Sequence, residues 1–150
     1  MYTFFTNILT TMFTSHQSKE NFYYLALLKN NDNVNGVSIH GLWPNYGNGG
    51  YPSFCKSVEF DFSKLTPIIK ELRENWDLPG DIDKDEIKFW THEWKKHGSC
   101  MFKELDEYHY FKKALDLYFY IINNKEINLE IYRKGKNYMI PFDLDFKIIN

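Results

Sequence analysis

Residues 22–28, FYYLALL, and residues 37–43, VSIHGLW, set the class of this fold. The first stretch is apolar and rich in aromatic residues, which is typical of a buried strand. The second stretch places Val37 and Ile39 at alternate positions and so predicts another strand. Residues 30–36 between them, NNDNVNG, are polar and predict a turn. The sequence therefore predicts two strands separated by a turn.

Three helical patterns follow these strands, and two further strands follow the helices. The helices are recognised from apolar residues at the helical period and from capping residues at their ends. The order strand, strand, helices, strand, strand predicts an α+β fold. The predicted helices cover about residues 61–76, 87–98 and 107–123, an acidic loop covers 77–86, and the later strands cover 127–132 and 137–148.

The composition is that of one soluble globular domain. The chain has 150 residues, of which 43% are hydrophobic, 25% charged and an unusual 19% aromatic. Its 18 basic and 20 acidic residues give a net charge of −2, which argues against a non-specific binder of duplex DNA. No apolar stretch reaches the length of a membrane span, so we expect no membrane association.

The first 20 residues are interpreted as a separate segment, and residues 21–150 as the single domain. Residues 1–13, MYTFFTNILTTMF, are apolar in the manner of a signal peptide but lack its basic start. Two interpretations stay open for this segment. It is either a signal-peptide remnant or a frayed or strand-forming terminus.

Residues 89–100, FWTHEWKKHGSC, concentrate titratable side chains on one predicted helix. At about 100° per residue, these side chains fall within an arc of about 140°. Trp90 and Trp94 fall on the opposite face, where they would anchor the helix in the core. The segment therefore predicts a helix that is aromatic on one side and titratable on the other. The titratable side chains are His92, Glu93, Lys96 and His97.

The spacing of these histidines argues against a metal site. A zinc-binding helix carries its histidines four residues apart, whereas His92 and His97 are five apart and point about 140° away from each other. Asp81, Asp83 and Asp85 in turn lack the glycine and the glutamate that complete a calcium loop. We expect no metal and no other cofactor.

Residues 36–52, GVSIHGLWPNYGNGGYP, carry a second cluster. His40 lies near the end of the predicted strand, and Gly41 allows a ligand to approach the backbone closely. Trp43 and Tyr51 are aromatics in a glycine-rich stretch and are suited to stacking on nucleobases, with Asn45 suited to reading a base edge. Packing in the core is the alternative for Trp43 and Tyr51, and composition alone favours it.

Two segments, IHGLWP (39–44) and FWTHEWKKHGSC (89–100), resemble the active-site segments of the ribonuclease T2 family. These are acid ribonucleases of vacuoles, lysosomes and secretions. The pattern GxYPxxC at residues 49–55 fits as well, and the resemblance covers about residues 22–123. It implies an antiparallel central sheet flanked by helices. Because the chain stops at Asn150, we expect the family's C-terminal strands to be missing, in either a minimal member of the family or a truncated chain.

The resemblance implies a role for each matching residue of the two segments. His40 resembles the general acid that protonates the leaving 5′-oxygen, and His97 resembles the general base that takes the proton of the 2′-hydroxyl. His92 would hold the phosphate. Glu93 and Lys96 would stabilise the pentacovalent phosphorane.

The resemblance also implies sites for the bases on either side of the cut. Trp43, Asn45 and Tyr51 resemble the pocket for the base on the 5′ side, and Phe89 resembles a wall for the base on the 3′ side. The sequence departs from the family at residues 28–30, Leu-Lys-Asn, where members carry Gln-Trp-Pro. That departure affects the contacts to the 3′-side base.

The two cysteines of the chain match a family disulfide. Cys55 and Cys100 would tie the loop after the first active-site segment to the end of the catalytic helix. A disulfide favours an oxidising location, so we expect a secreted protein or one in a vacuolar or lysosomal compartment.

The implied activity is endonucleolytic cleavage of single-stranded RNA through its own 2′-hydroxyl, which leaves 2′,3′-cyclic phosphate ends. Two imidazoles suit the acid and base roles, and a lysine suits the growing negative charge. DNA lacks the nucleophile, so no DNA cleavage is expected. We expect a monomer. The alternative to this enzymatic function is a catalytically weak, ribonuclease-like module that binds RNA or regulates a partner.

Overall fold

The structure, a computed structural model, describes residues 19–78 and 85–150. Most of the N-terminal segment 1–20 and residues 79–84 of the acidic loop lie outside these ranges. The strands are β1 (Phe22–Lys29), β2 (Val37–Asn45), β3 (Arg133–Lys134) and β4 (Asn137–Phe142). The α-helices are α1 (Ile69–Asn75), α2 (Glu86–Lys96) and α3 (Glu107–Asn123). The predicted α+β class is confirmed.

The strands form an antiparallel sheet in the order β2-β1-β4-β3, so β1 is paired along both edges. Leu25 of β1 lies opposite Leu42 on one side and Ile140 on the other. These three residues are fully buried and belong to the hydrophobic core against which the helices pack. The opposite face of the sheet carries Tyr24 and Ala26, and we call it the cleft face.

A β-bulge in β2 brings His40 to the cleft face. Ala26 pairs with Gly41 and Leu27 pairs with Ile39, so His40 has no opposite residue on β1. Regular alternation would place His40 on the core face, but Ile39 takes that place and is fully buried. The extra residue therefore frees the imidazole from the core.

Aspartate side chains cap three of the helical segments. Asp61 accepts a hydrogen bond from the Ser63 backbone at 3.0 Å, Asp85 caps α2 and Asp106 caps α3. The helix predicted from about residue 61 begins as a 3₁₀ segment, Phe62–Ile68, and becomes α1 only afterwards. Pro67 lies inside the 3₁₀ segment, and it cannot donate the backbone hydrogen bond that an α-helix needs.

The strand predicted over residues 127–132 is wrong. Leu129–Tyr132 forms a 3₁₀ helix because the Asn128 side chain accepts the backbone hydrogen bond of Glu130 at 3.0 Å. The strand predicted over 137–148 is correct only to Phe142. There the Asp143 side chain accepts two backbone hydrogen bonds, each of 2.9 Å, and turns the chain.

Tryptophans anchor α2, as its periodicity predicts. Trp90 is fully buried and its Nε1 donates to the Trp76 carbonyl at 2.9 Å. Trp94 is also buried and donates to the Glu59 carbonyl at 3.2 Å. Trp76 in turn donates to the His40 carbonyl at 3.0 Å, so the core fixes the backbone of β2 at the bulge. Among the described residues, no helix has the length and apolar character needed to cross a membrane.

Candidate active site

A cleft of about 370 Å³ lies between the cleft face of the sheet and α2. It brings together all nine side chains that the sequence singles out for catalysis and base binding. Two further residues, Tyr24 and Met139, also line it and were missed, because only the strand pairing places them beside the rest. The nine are His40, Trp43, Asn45, Tyr51, Phe89, His92, Glu93, Lys96 and His97.

His40 is held at both its backbone and its ring. Its Nδ1 lies 2.9 Å from Oδ1 of Asn137 on β4, a residue that the sequence analysis missed. Its ring meets the edge of Trp43 with centroids 4.9 Å apart. Burial lowers the pKa of His40, and the positive charges of Lys136 and Lys96 lower it further, while the Asn137 hydrogen bond opposes them. The imidazole therefore gives up its proton more readily than an exposed histidine.

Glu93 is a buried carboxyl group that faces Trp43. Only 3% of Glu93 is exposed, and its Oε2 accepts a 2.9 Å hydrogen bond from Nε1 of Trp43. Burial raises the pKa of Glu93 to about 7, against the opposing effects of the Trp43 hydrogen bond and the Lys96 charge. The group is consequently a neutral acid across the acidic pH range.

Gly41 makes room for this hydrogen bond. A Cβ atom at position 41 would lie 2.1 Å from Nε1 of Trp43 and 2.3 Å from Oε2 of Glu93. Both distances are far shorter than any van der Waals contact. The glycine of the first segment is therefore required by the packing of strand against helix.

His97 lies at the C-terminal end of α2 and is only 6% exposed. Its ring stacks on Trp43 with centroids 5.1 Å apart, and its Nε2 lies 3.9 Å from Oε2 of Glu93. Among the described residues, no hydrogen-bond partner reaches its enclosed Nδ1. Burial lowers the pKa of His97 to about 3, and the neighbouring positive charge of Lys96 acts in the same direction. His97 is thus a neutral imidazole that is able to accept a proton.

The outer part of the cleft is more open. Tyr51 is 58% exposed, so core packing is wrong for this residue, and the Lys96 ammonium lies 6.0 Å from the centre of its ring. His92 is exposed, and the centre of its ring lies 6.0 Å from that of Phe54, a residue that no sequence pattern indicates. The Phe54 backbone donates to the Lys96 carbonyl at 3.0 Å, which joins the loop to the helix.

Cys55 and Cys100 form the disulfide that the resemblance implies, with their Cα atoms 5.2 Å apart. It joins the loop after β2 to the short helical turn Gly98–Cys100 that follows α2. Ser99 supports the same junction, because its hydroxyl accepts a hydrogen bond from the Cys55 backbone at 3.1 Å. The two sequence segments are therefore covalently tied beside the cleft.

Within residues 19–78 and 85–150, no cluster of three or more histidine, cysteine, aspartate or glutamate side chains could hold a metal ion. Two of the three aspartates weighed as a calcium loop, Asp81 and Asp83, lie outside the described residues. The titratable groups of the cleft are instead close to aromatic rings and to one lysine. Their arrangement suits proton transfer near an anion.

Comparison with known proteins gives the same family as the two segments. The chain is 44% identical over 80 residues to Ribonuclease 3 of Arabidopsis thaliana, covering 53% of this chain and 36% of that protein. It is 44% identical over 81 residues to extracellular ribonuclease LE of Solanum lycopersicum, covering 53% of this chain and 35% of that protein. The chain thus spans about a third of the length of these curated relatives.

The fold also has solved counterparts. The crystal structure of RNase NT in complex with 5′-AMP superposes with a TM-score of 0.63 and 24% sequence identity, over 87% of this chain and 89% of that one. Residues 4–132, which include both segments that resemble the family's active-site segments, match the sequence model of the Ribonuclease T2 family. The chain therefore belongs to the ribonuclease T2 family.

Proposed function

We propose that this protein is an endoribonuclease that cleaves single-stranded RNA by attack of the RNA's own 2′-hydroxyl on the adjacent phosphate. One observation carries the proposal. Two imidazoles from different elements, His40 on β2 and His97 at the end of α2, line one cleft together with the Lys96 ammonium. Two proton-transfer groups and a cation are what this reaction requires. The ribonuclease names of the relatives support the same conclusion.

The proposed step transfers two protons and exchanges one bond to phosphorus. His97 takes the proton of the 2′-hydroxyl while the 2′-oxygen forms its bond to phosphorus. The bond from phosphorus to the 5′-oxygen breaks, and that oxygen receives a proton from His40. The products are a 2′,3′-cyclic phosphate and a free 5′-hydroxyl.

The environments of the two histidines support this division of roles. Burial lowers the pKa of His97 to about 3, so the base form dominates over the acidic range. The pKa of His40 is also lowered by burial, so its acid form is present at acidic pH and gives up its proton readily. Both groups are therefore in the required state at the same time only in acid.

Charge in the cleft favours a phosphate under the same conditions. Lys96 supplies a fixed positive charge, and exposed His92 is placed to contact a phosphate from the outer side. Burial raises the pKa of Glu93 to about 7, so this carboxyl group is neutral in acid and does not repel the substrate. As a neutral acid it is also able to donate a hydrogen bond to a phosphoryl oxygen.

The aromatic rim supports base binding. Tyr51 offers an exposed ring, and Asn45 is held in place by its hydrogen bond of 3.0 Å to the Trp43 carbonyl. We assign Trp43, Asn45 and Tyr51 to the base on the 5′ side of the cut. Phe89, whose ring lies 6.1 Å from that of His40, is assigned to the base on the leaving-group side.

The experiment is cleavage of a dinucleoside phosphate in the presence of EDTA. We expect cleavage in EDTA, a loss of about 10²- to 10⁴-fold in kcat for His40→Ala and for His97→Ala, and DNA left intact. His109→Ala, an exposed histidine on α3, is the matched control and should keep full activity. Activity that disappears in EDTA, or survives in either cleft variant, would refute the mechanism. A folded protein that binds RNA without cleaving it would support the non-catalytic module instead.

The same proposal includes an oxidising location and a monomeric enzyme. The Cys55–Cys100 disulfide supports the location because thiols stay reduced in the cytosol of most cells. One matched relative is named as an extracellular ribonuclease. Size-exclusion chromatography with light scattering measures the oligomeric state directly.

A further inference from the structure

We propose that Asn137 is a positioning residue for His40: its side-chain oxygen holds the Nδ1–H group and directs Nε2 to the leaving oxygen. The inference rests on the proposed function, because it requires His40 to act as the general acid. Asn137 lies outside residues 4–132, the part of the chain that matches the family. No pattern in the sequence singles it out.

The contact joins parts of the chain that are far apart. Oδ1 of Asn137 and Nδ1 of His40 lie 2.9 Å apart, although the two residues are 97 positions apart in sequence. They lie on β4 and β2, with the whole of β1 between them. Two strand spacings of about 4.8 Å therefore separate their backbones, and only a side chain freed by the bulge reaches across.

The hydrogen bond to Asn137 fixes the tautomer of the His40 imidazole. An amide oxygen only accepts hydrogen bonds, so Nδ1 of His40 must carry a proton when it binds Asn137. Nε2 is then the nitrogen that gains and loses the second proton. Fixing one ring nitrogen through a hydrogen bond is a general way of orienting the other.

The neutral charge of Asn137 suits an acid that must release its proton. The charged groups that act on His40 are Lys136 in the β3–β4 turn, and His92 and Lys96 on α2. These groups lower the pKa of His40, whereas the Asn137 hydrogen bond raises it. An aspartate at position 137 would hold the ring equally well but would retain the proton more strongly.

The experiment compares two substrates that differ only in the leaving group. One is a dinucleoside phosphate, whose 5′-oxygen needs a proton in order to leave. The other is the 4-nitrophenyl ester of the same 3′-nucleotide, whose phenolate leaves without protonation. We expect Asn137→Ala to lower kcat about tenfold to a hundredfold on the first substrate and less than about threefold on the second. His40→Ala should show the same selectivity with a larger loss.

Two further variants separate positioning from simple support of the sheet. Asn137→Asp should recover cleavage of the dinucleoside phosphate and move the alkaline limb of the pH profile to higher pH. Asn137→Ala should move that limb to lower pH. The control is Asn123→Ala at the exposed end of α3, which should change neither rate. Thermal melting shows that each variant is folded.

The remaining outcomes overturn the proposal in distinguishable ways. Equal losses on both substrates would make Asn137 a structural residue only. Unchanged kinetics would make its contact with His40 irrelevant to the reaction. A wild-type protein that cleaves neither substrate would refute the proposed function, and the positioning role with it.

Discussion

The two walls of the cleft are built in different ways. The α2 wall takes His92, Glu93, Lys96 and His97 from one turn-and-a-half of helix, so a short run of sequence carries nearly all of its chemistry. The sheet wall has one histidine, His40. A bulge, a hydrogen bond from Trp76 to its backbone and an asparagine from another strand place it in the cleft. A helix places several side chains on one face because residues three and four apart lie side by side. A sheet must bring together side chains from strands that are distant in sequence.

The largest expected effect is the pH dependence of the proposed reaction, because each limb of the profile reports a histidine from a different wall. On the proposed mechanism, the acid limb of kcat/KM should report His97, whose pKa burial lowers to about 3, and the alkaline limb should report His40, whose pKa burial lowers from 6.5. Activity should peak above pH 3 and below pH 6.5, and it should fall about tenfold per pH unit on either side of the plateau. The measurement is kcat/KM on a dinucleoside phosphate from pH 2 to 9. A maximum above pH 6.5 would contradict this assignment, because the pKa of His40 is lowered from that value.

Removing the Cys55–Cys100 disulfide, which joins the loop after β2 to the turn after α2, should have the next largest effect. The Cys55–Cys100 disulfide closes a 45-residue separation, and its loss should lower the free energy of unfolding by about 2–5 kcal/mol. Urea unfolding of the Cys55→Ser, Cys100→Ser double variant measures the loss. Reduction of the wild-type protein is the matched control and should give the same value, since the chain has 2 cysteines in all. A change below about 1 kcal/mol in the free energy of unfolding would show that the disulfide contributes little to the stability of the fold.

Gly41→Ala tests the contact between the walls directly. The new Cβ would lie 2.1 Å from Nε1 of Trp43, so the indole and Glu93 must move. We expect a loss of about 1–3 kcal/mol in the free energy of unfolding, with lower activity. Lys29→Ala, exposed at the end of β1, is the control and should change stability by less than about 0.5 kcal/mol. Unchanged stability and activity would mean that β2 and α2 can move apart at Gly41 without loss.

Glu93→Gln should change the free energy of unfolding only at higher pH. Burial raises the pKa of Glu93 from 4.5 to about 7, so the folded state holds this proton more tightly than the unfolded chain. Its contribution is complete below pH 4.5 and is lost as pH rises through about 7. The variant should therefore gain on the order of 2 kcal/mol over wild type between pH 5 and pH 8. Exposed Glu71→Gln is the control, and a pH-independent difference would contradict the prediction.

The same contrast explains what the sequence could predict. Local periodicity predicts the titratable face of α2 and the bounds of α3. The family resemblance correctly implied the disulfide between Cys55 and Cys100. These features depend on neighbours within a few turns or on long, distinctive motifs.

The missed features depend on pairing between distant segments. The bulge at His40, the place of Tyr24 and Met139, and the contact to Asn137 exist only once β1 is flanked by β2 and β4. Local chemistry also misled at residues 127–132, where alternating apolar residues indicate a strand. The Asn128 cap decided that segment for a 3₁₀ turn instead.

The location of Trp43 has an optical consequence. Trp76, Trp90 and Trp94 are buried in the core, whereas the half-buried indole of Trp43 contacts the rings of His40 and His97. A protonated imidazole quenches indole emission, and so does a nucleobase stacked on the ring. Trp43→Phe would therefore isolate the fluorescence signal of the cleft, and the difference spectrum would follow nucleotide binding and histidine titration without any added label.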